Sequence, residues 1–221
     1  MKTFFLLFTL LAVVLAALPF LEQTEDTETL TGLPWQIEQL PDGSTRVFGL
    51  QIGSSRLSDV LDILGSDMDL AIIAASDEVG SLEMYYGHYR AGLLSGKLVL
   101  QTGISEQEIT RLRENSVSSE YMASGQAKKY ILSPDDLIQV LQETVVGLTF
   151  IPVSNLDEDV ILARFGEPDQ RIQLTGVTHY LYPHIGLTIA LHENGKEVLQ
   201  YVTPGDFQRL IQPLGDEFQA H

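Results

Sequence analysis

Residues 178–202 read THYLYPHIGLTIALHENGKEVLQYV. Two apolar and aromatic runs, 178–182 and 186–191, lead into Glu193-Asn194-Gly195-Lys196 and then a third run, 197–202. An Asn-Gly pair supplies the two left-handed positions of a tight hairpin turn, so the flanking runs predict paired antiparallel strands. No other local signal in the body of the chain is as strong.

The segments on either side read as helices. Asn155-Leu156-Asp157-Glu158 carries side-chain oxygens that can satisfy the free N–H groups of a first turn, and it opens a helix ending at Phe165-Gly166. Thr203-Pro204-Gly205-Asp206 opens a last helix through Leu210 and Ile211. Upstream, Ser105-Glu106-Gln107-Glu108 is a capping box for a helix to about Glu114, and Ser133-Pro134-Asp135-Asp136 puts proline at the first helical position of one reaching about Val145. A further helix spans 55–64 and stops at Gly65. Hairpins are predicted for 82–89 with 92–100, and for 35–40 with 45–50 around Pro41-Asp42-Gly43-Ser44.

The two halves can be laid against each other. Residues 57–67, LSDVLDILGSD, match 158–169, EDVILARFGEPD, at an offset of about 98–101. A tyrosine-rich strand, a Gly-Leu strand and a helix ending in Arg-Leu (Arg111-Leu112, Arg209-Leu210) follow each. The expected fold class is therefore α+β: two degenerate helix–antiparallel-strands–helix repeats, 35–147 and 148–221, behind an N-terminal hydrophobic helix. Residues 1–21 form that segment, a signal-anchor or signal peptide, and 22–34 an acidic tether.

Helix end Arg164-Phe165-Gly166-Glu167-Pro168-Asp169, strand Thr178-His179-Tyr180-Leu181-Tyr182 and the Asn-Gly hairpin resemble the SmpA/OmlA-type module of outer-membrane assembly lipoproteins. A tandem pair is also similar to the β-lactamase-inhibitor-protein architecture. The resemblance covers mainly residues 150–210. It implies a curved sheet with helices on one face, and a non-catalytic role in which the other face binds a protein. The chain departs from the lipoprotein pattern in having no cysteine.

With 44% hydrophobic residues, the chain can build a core. Its formal net charge is −17; beyond residue 21, which removes only Lys2, 12 basic residues (13 − 1) face 30 acidic ones. Such a body repels phosphate backbones, so nucleic acid is not an expected partner. The absence of cysteine excludes disulfides, thiol chemistry and a lipid-anchor signal.

Residues 4–21 carry no charge, follow Lys2, and precede Glu22, Glu25, Asp26 and Glu28. That asymmetry predicts an inner-membrane single-pass segment with the N-terminus inside and a periplasmic domain. Cleavage after Val14-Leu15-Ala16, releasing the body to the periplasm, is the alternative. The expected partners are the membrane, through residues 4–21, and one or more envelope proteins.

Matching aromatic strands place Tyr85, Tyr86 and Tyr89 in one half and Tyr180 and Tyr182 in the other. Aromatics suit half-buried pleats, which makes these core residues; any that face outward would anchor a protein partner. His179, His184 and His192 lack metal-ligand spacing. Asp135-Asp136 and Asp157-Glu158-Asp159 sit in first turns, where carboxylates offset the helix dipole. Gly92-Leu93-Leu94-Ser95-Gly96-Lys97 lies in a hairpin and has the wrong spacing for a phosphate loop. No catalytic, cofactor or metal residue is assigned.

Two readings follow. One is a membrane-tethered, non-catalytic partner-binding or scaffold protein of the bacterial envelope. The other is an envelope enzyme, hydrolase-like, with a site assembled from scattered carboxylates and histidines, which a deep pocket lined by two or more of His88, His179, His184, Asp67 and Asp169 would favour.

Overall fold

A computed structural model describes residues 31–92 and 94–219. The expected N-terminal helix, the membrane segment and most of the tether lie outside the described residues. Among the described residues no helix is long and apolar enough to cross a membrane.

A small antiparallel sheet holds β1 (Glu38–Gln39), β2 (Thr45–Val47) and β3 (Leu50–Gln51). The other strands are β4 (Asp69–Ala75), β5 (Ser81–Ala91), β6 (Leu94–Thr102), β7 (Ser118–Tyr121), β8 (Ala127–Ile131), β9 (Val145–Pro152), β10 (Gln170–Leu174), β11 (Val177–Tyr182), β12 (Leu187–His192) and β13 (Val198–Val202). They form one ten-stranded antiparallel sheet in the order β10-β11-β12-β13-β9-β6-β5-β4-β8-β7. Five short helices accompany it: α1 (Leu57–Leu64), α2 (Glu106–Glu114), α3 (Pro134–Val140), α4 (Glu158–Phe165) and α5 (Gln208–Gln219).

This overturns the expected fold class. The molecule is mostly one large antiparallel sheet, not two helix–strands–helix repeats. Strand β9 runs across the expected 147/148 boundary and pairs with β6 on one side and β13 on the other. Five strands were not expected at all: β4, β7, β8, β9 and β10. β9 starts where the helix from Ser133 was expected to end; that helix stops at Val140, and Val145, Val146, Thr149 and Phe150, β-branched or aromatic, favour the strand that pairs into the sheet.

Local chemistry set the helix starts well. Ser105 Oγ accepts from the Glu108 N–H, and Ser133 Oγ from that of Asp136. For α4 the cap is Asp157, which accepts from the Val160 N–H at 2.8 Å, two residues later than Asn155. Thr203-Pro204 opens a 3₁₀ turn, Pro204–Asp206, before α5 begins.

Residues 45–50 do not form one strand. Phe48 and Gly49 have φ of 54° and 80°, the two left-handed positions of a tight hairpin between β2 and β3. Phenylalanine is strained there, and its packing offsets the strain. Its buried ring meets Tyr89 and Tyr201 edge-on and Phe150 at a tilt, with centroids 5.5–5.8 Å apart.

The sheet has two unlike faces. On one, Met84, Tyr86, Leu98, Phe150, Tyr180 and Leu199 join Leu57 and Val60 of α1, Ile109 and Leu112 of α2, and Ile161 of α4 in a single core. On the other, Leu181, Thr188, Ala190 and Val202 are buried in the β11–β13 half, where Ile211 and Leu214 of α5 close a cavity with Ile172 and Leu181. Over β4, β5, β6 and β9 the same face has no helix across it among the described residues.

Candidate functional site on the uncovered sheet face

Alternation along β5 decides what this face presents. Leu82, Met84 and Tyr86 point into the core, so Glu83 and Tyr85 point away from it. Register then brings Asp69 and Val99 beside Tyr85, and Thr149 beside Val99. The result is a groove of about 390 Å³ lined chiefly by apolar side chains: Ala71, Ile73, Tyr85, Val99, Met122 and Ile151. Its floor, Ala71, is buried despite carrying only a methyl group.

Charges ring the groove. Lys129 Nζ lies 3.2 Å from Asp69 Oδ2, and Glu83 accepts from the Ser81 hydroxyl at 2.6 Å. Lys97 is exposed and has no ion pair among the described residues, in a chain where acids outnumber bases.

Of the five tyrosines, only Tyr85 lies on this groove. Tyr86, Tyr180 and Tyr182 are 3%, 1% and 0% exposed, all on the core face. The Tyr86 hydroxyl donates to the Gly65 carbonyl at 2.7 Å, and that of Tyr182 to the Gly166 carbonyl at 2.9 Å. Burial pushes both phenols up to about 12. Tyr89, past an irregularity in β5, packs on Phe48 and Phe150 and is likewise raised to about 12 by burial. Arg171 stacks its guanidinium on the Tyr180 ring at 5.3 Å.

The candidate acids and histidines are dispersed. His184 Nδ1 and Asp169 Oδ2 are 2.8 Å apart and about half exposed. Asp67 and His88 line a shallow depression of about 180 Å³ that adjoins the groove at Asp69 and Tyr85, and among the described residues no hydrogen bond joins them. The two pairs stand at β11 and β5, five strand spacings or roughly 24 Å apart. His179 sits in β11 opposite Ala190, and His192 Nδ1 lies 2.9 Å from the Lys196 carbonyl oxygen. Among the described residues no group of three or more His, Asp or Glu could hold a metal ion.

Asp136 does more than offset a helix dipole. It is buried, accepts from Ser133 Oγ at 2.7 Å and pairs with Arg111 at 2.9 Å, and these two hold its carboxyl below the usual carboxylate range. It ties α3 to α2.

Compared with known protein families, curated proteins and solved structures, the chain matches none.

Proposed function

We propose that this chain is a non-catalytic partner-binding protein of the bacterial envelope, held at the membrane by residues 4–21 and facing outward. Its partner is a protein that lays an amphipathic helix into the groove between Tyr85, Val99, Met122 and Ile151. The observation that carries this reading is internal to the molecule. Beside β10 and β11 the same face of the sheet meets α5, which sets Ile211 and Leu214 against Ile172 and Leu181. The sheet continues past that helix with apolar residues on the same face and nothing across them among the described residues. An apolar helical stripe fits that surface, and an acidic residue beside the stripe would find Lys97.

The test is site-specific photocrosslinking in membranes. A photoreactive residue at position 99 should crosslink to one protein, with the linked peptide mapping to an apolar stripe at helical spacing. Tyr85→Ala and Val99→Asp should each weaken capture, while a label at Ile138, exposed on α3, should capture nothing. Equal crosslinking from positions 99 and 138 would sink the groove.

A further inference from the structure

On the core side of the sheet's other end, a second cavity of about 230 Å³ is lined by Ser76, Arg113, Tyr121, Gln126, Lys128 and Tyr130, with alanines filling the rest of its wall. Its lining contains two cations and no acid, in a chain with 30 acidic and 13 basic residues. Asp77 and Glu78 follow Ser76 on the exposed turn but do not line the cavity.

Neither cation is neutralised by a carboxylate among the described residues. Arg113 Nη1 donates to the carbonyls of Glu78 and Val79 at 2.9 and 2.7 Å, and Nη2 to the Tyr130 hydroxyl at 3.1 Å. Three of the five guanidinium N–H donors are thereby used on neutral oxygens, and the positive charge is left unpaired. Lys128 Nζ rests 4.7 Å from the centre of the Tyr121 ring, and the Arg113 guanidinium is the same distance from that of Tyr130. Ring faces hold the cations in place and strip water from one side of each without cancelling their charge.

The remaining polar groups point to the same ligand. Tyr130 accepts from Arg113, so its own proton is free to donate. Ser76 contributes a hydroxyl and Gln126 an amide. The geometry points to an anion-binding site that takes a small carboxylate or phosphate, with Lys128 and Arg113 supplying charge and Tyr130 a hydrogen bond. At 230 Å³ the space is below the 300–1,000 Å³ of pockets for drug-sized ligands, which suits a compact anion. The site lies on the opposite face from the groove and does not depend on it.

The full-length chain, ¹⁵N-labelled in a nonionic detergent, should be titrated with inorganic phosphate and with acetate, chloride holding ionic strength constant. The site predicts saturable amide shifts at Ser76, Gln126 and Lys128 with one or both anions, and the anion that saturates identifies the acid. Lys128→Gln should weaken that binding by roughly ten- to hundredfold, the value of one charge-assisted contact. The fold should be untouched, because among the described residues the Lys128 side chain makes no hydrogen bond or ion pair and rests only on the exposed Tyr121 ring. Shifts that drift linearly for both anions, or unchanged affinity in Lys128→Gln, would overturn the assignment.

Discussion

Where α1 ends, Gly65 stands at φ 88° and ψ 177°, and the Tyr86 hydroxyl donates to its carbonyl at 2.7 Å. Where α4 ends, Gly166 stands at φ 82° and ψ −173°, and the Tyr182 hydroxyl donates to its carbonyl at 2.9 Å. In both places the next strand pairs antiparallel with the strand bearing the tyrosine, through Asp69↔Tyr85 and Gln170↔Leu181. The corners diverge just past the tyrosine. Strand β5 absorbs an irregularity between Tyr86 and Tyr89 and runs on to Ala91. Strand β11 stops, because Pro183 has no N–H for the ladder and begins a 3₁₀ turn. A helix end tied to a sheet by one phenol is thus compatible with either continuation. The tie sets the corner, and the residues just past the tyrosine set where the chain goes.

Removing the tyrosines should have the largest effect. Tyr86→Ala and Tyr182→Ala each empty a fully packed site and orphan a carbonyl, and should cost about 3–5 kcal/mol in urea unfolding. The glycines come next. A Cβ at Gly65 or Gly166 would meet no atom within 4 Å, so Gly→Ala there tests backbone strain alone. Their φ, ψ region is essentially glycine-only, and each substitution should cost about 1–3 kcal/mol. The two costs should agree closely. A gap above about 1 kcal/mol would mean that the corners only look alike.

These corners were half visible in the sequence. Gly65 and Gly166 could be read as helix ends, and Tyr86 and Tyr182 as strand aromatics, because both are local signals. The sequence made these tyrosines core residues; which of the five faces outward was not visible, since exposure depends on what covers each face. Leu181, between two core tyrosines, is buried from the other side, beneath α5. The sheet itself was under-read for a related reason. Ser118–Tyr121 and Ala127–Ile131 are strands, yet SSEY and AKKYI show no apolar alternation, being an exposed edge and its neighbour. The anion site was missed along with them, as only that hairpin brings Lys128 against Tyr121 and toward Arg113. One signal was available: residues 121–131 contain two lysines, two tyrosines and no acid. Among the five tyrosines, Tyr85 alone reaches the groove, because its position in β5 is one off from Tyr86.

Tyr86→Phe and Tyr182→Phe isolate the tie from the packing, and each should cost about 0.5–1.5 kcal/mol. The same phenols set an alkaline limit. Their folded pKa values, raised by burial to about 12, exceed the unfolded value of 10. The unfolded chain therefore loses these protons first as pH rises. Their contribution is complete below pH 10 and is lost as pH climbs through about 12. Absorbance at 295 nm should show phenols still protonated above pH 11 while the protein is folded, and both Phe variants should reduce that fraction. Loss in one variant only would separate the corners.

The smallest difference lies at the rim. His184 Nδ1 meets Asp169 at 2.8 Å, whereas Asp67 and His88 share a depression without a hydrogen bond among the described residues. About half of each side chain in the first pair is in solvent, so the pair should contribute about 0–1 kcal/mol and less at high salt. The backbone of that corner is held separately, by Gln39 Nε2 donating to the His184 carbonyl at 2.9 Å, and this bond survives any change of side chain. His184→Gln should therefore shift the urea midpoint slightly, and only at low salt, while His88→Gln leaves it where it was. A loss of several kcal/mol from His184→Gln would show that the rim, and not the phenol, secures the corner at Gly166. A small loss leaves His184 and Asp169 as surface groups at a corner secured by the Tyr182 phenol.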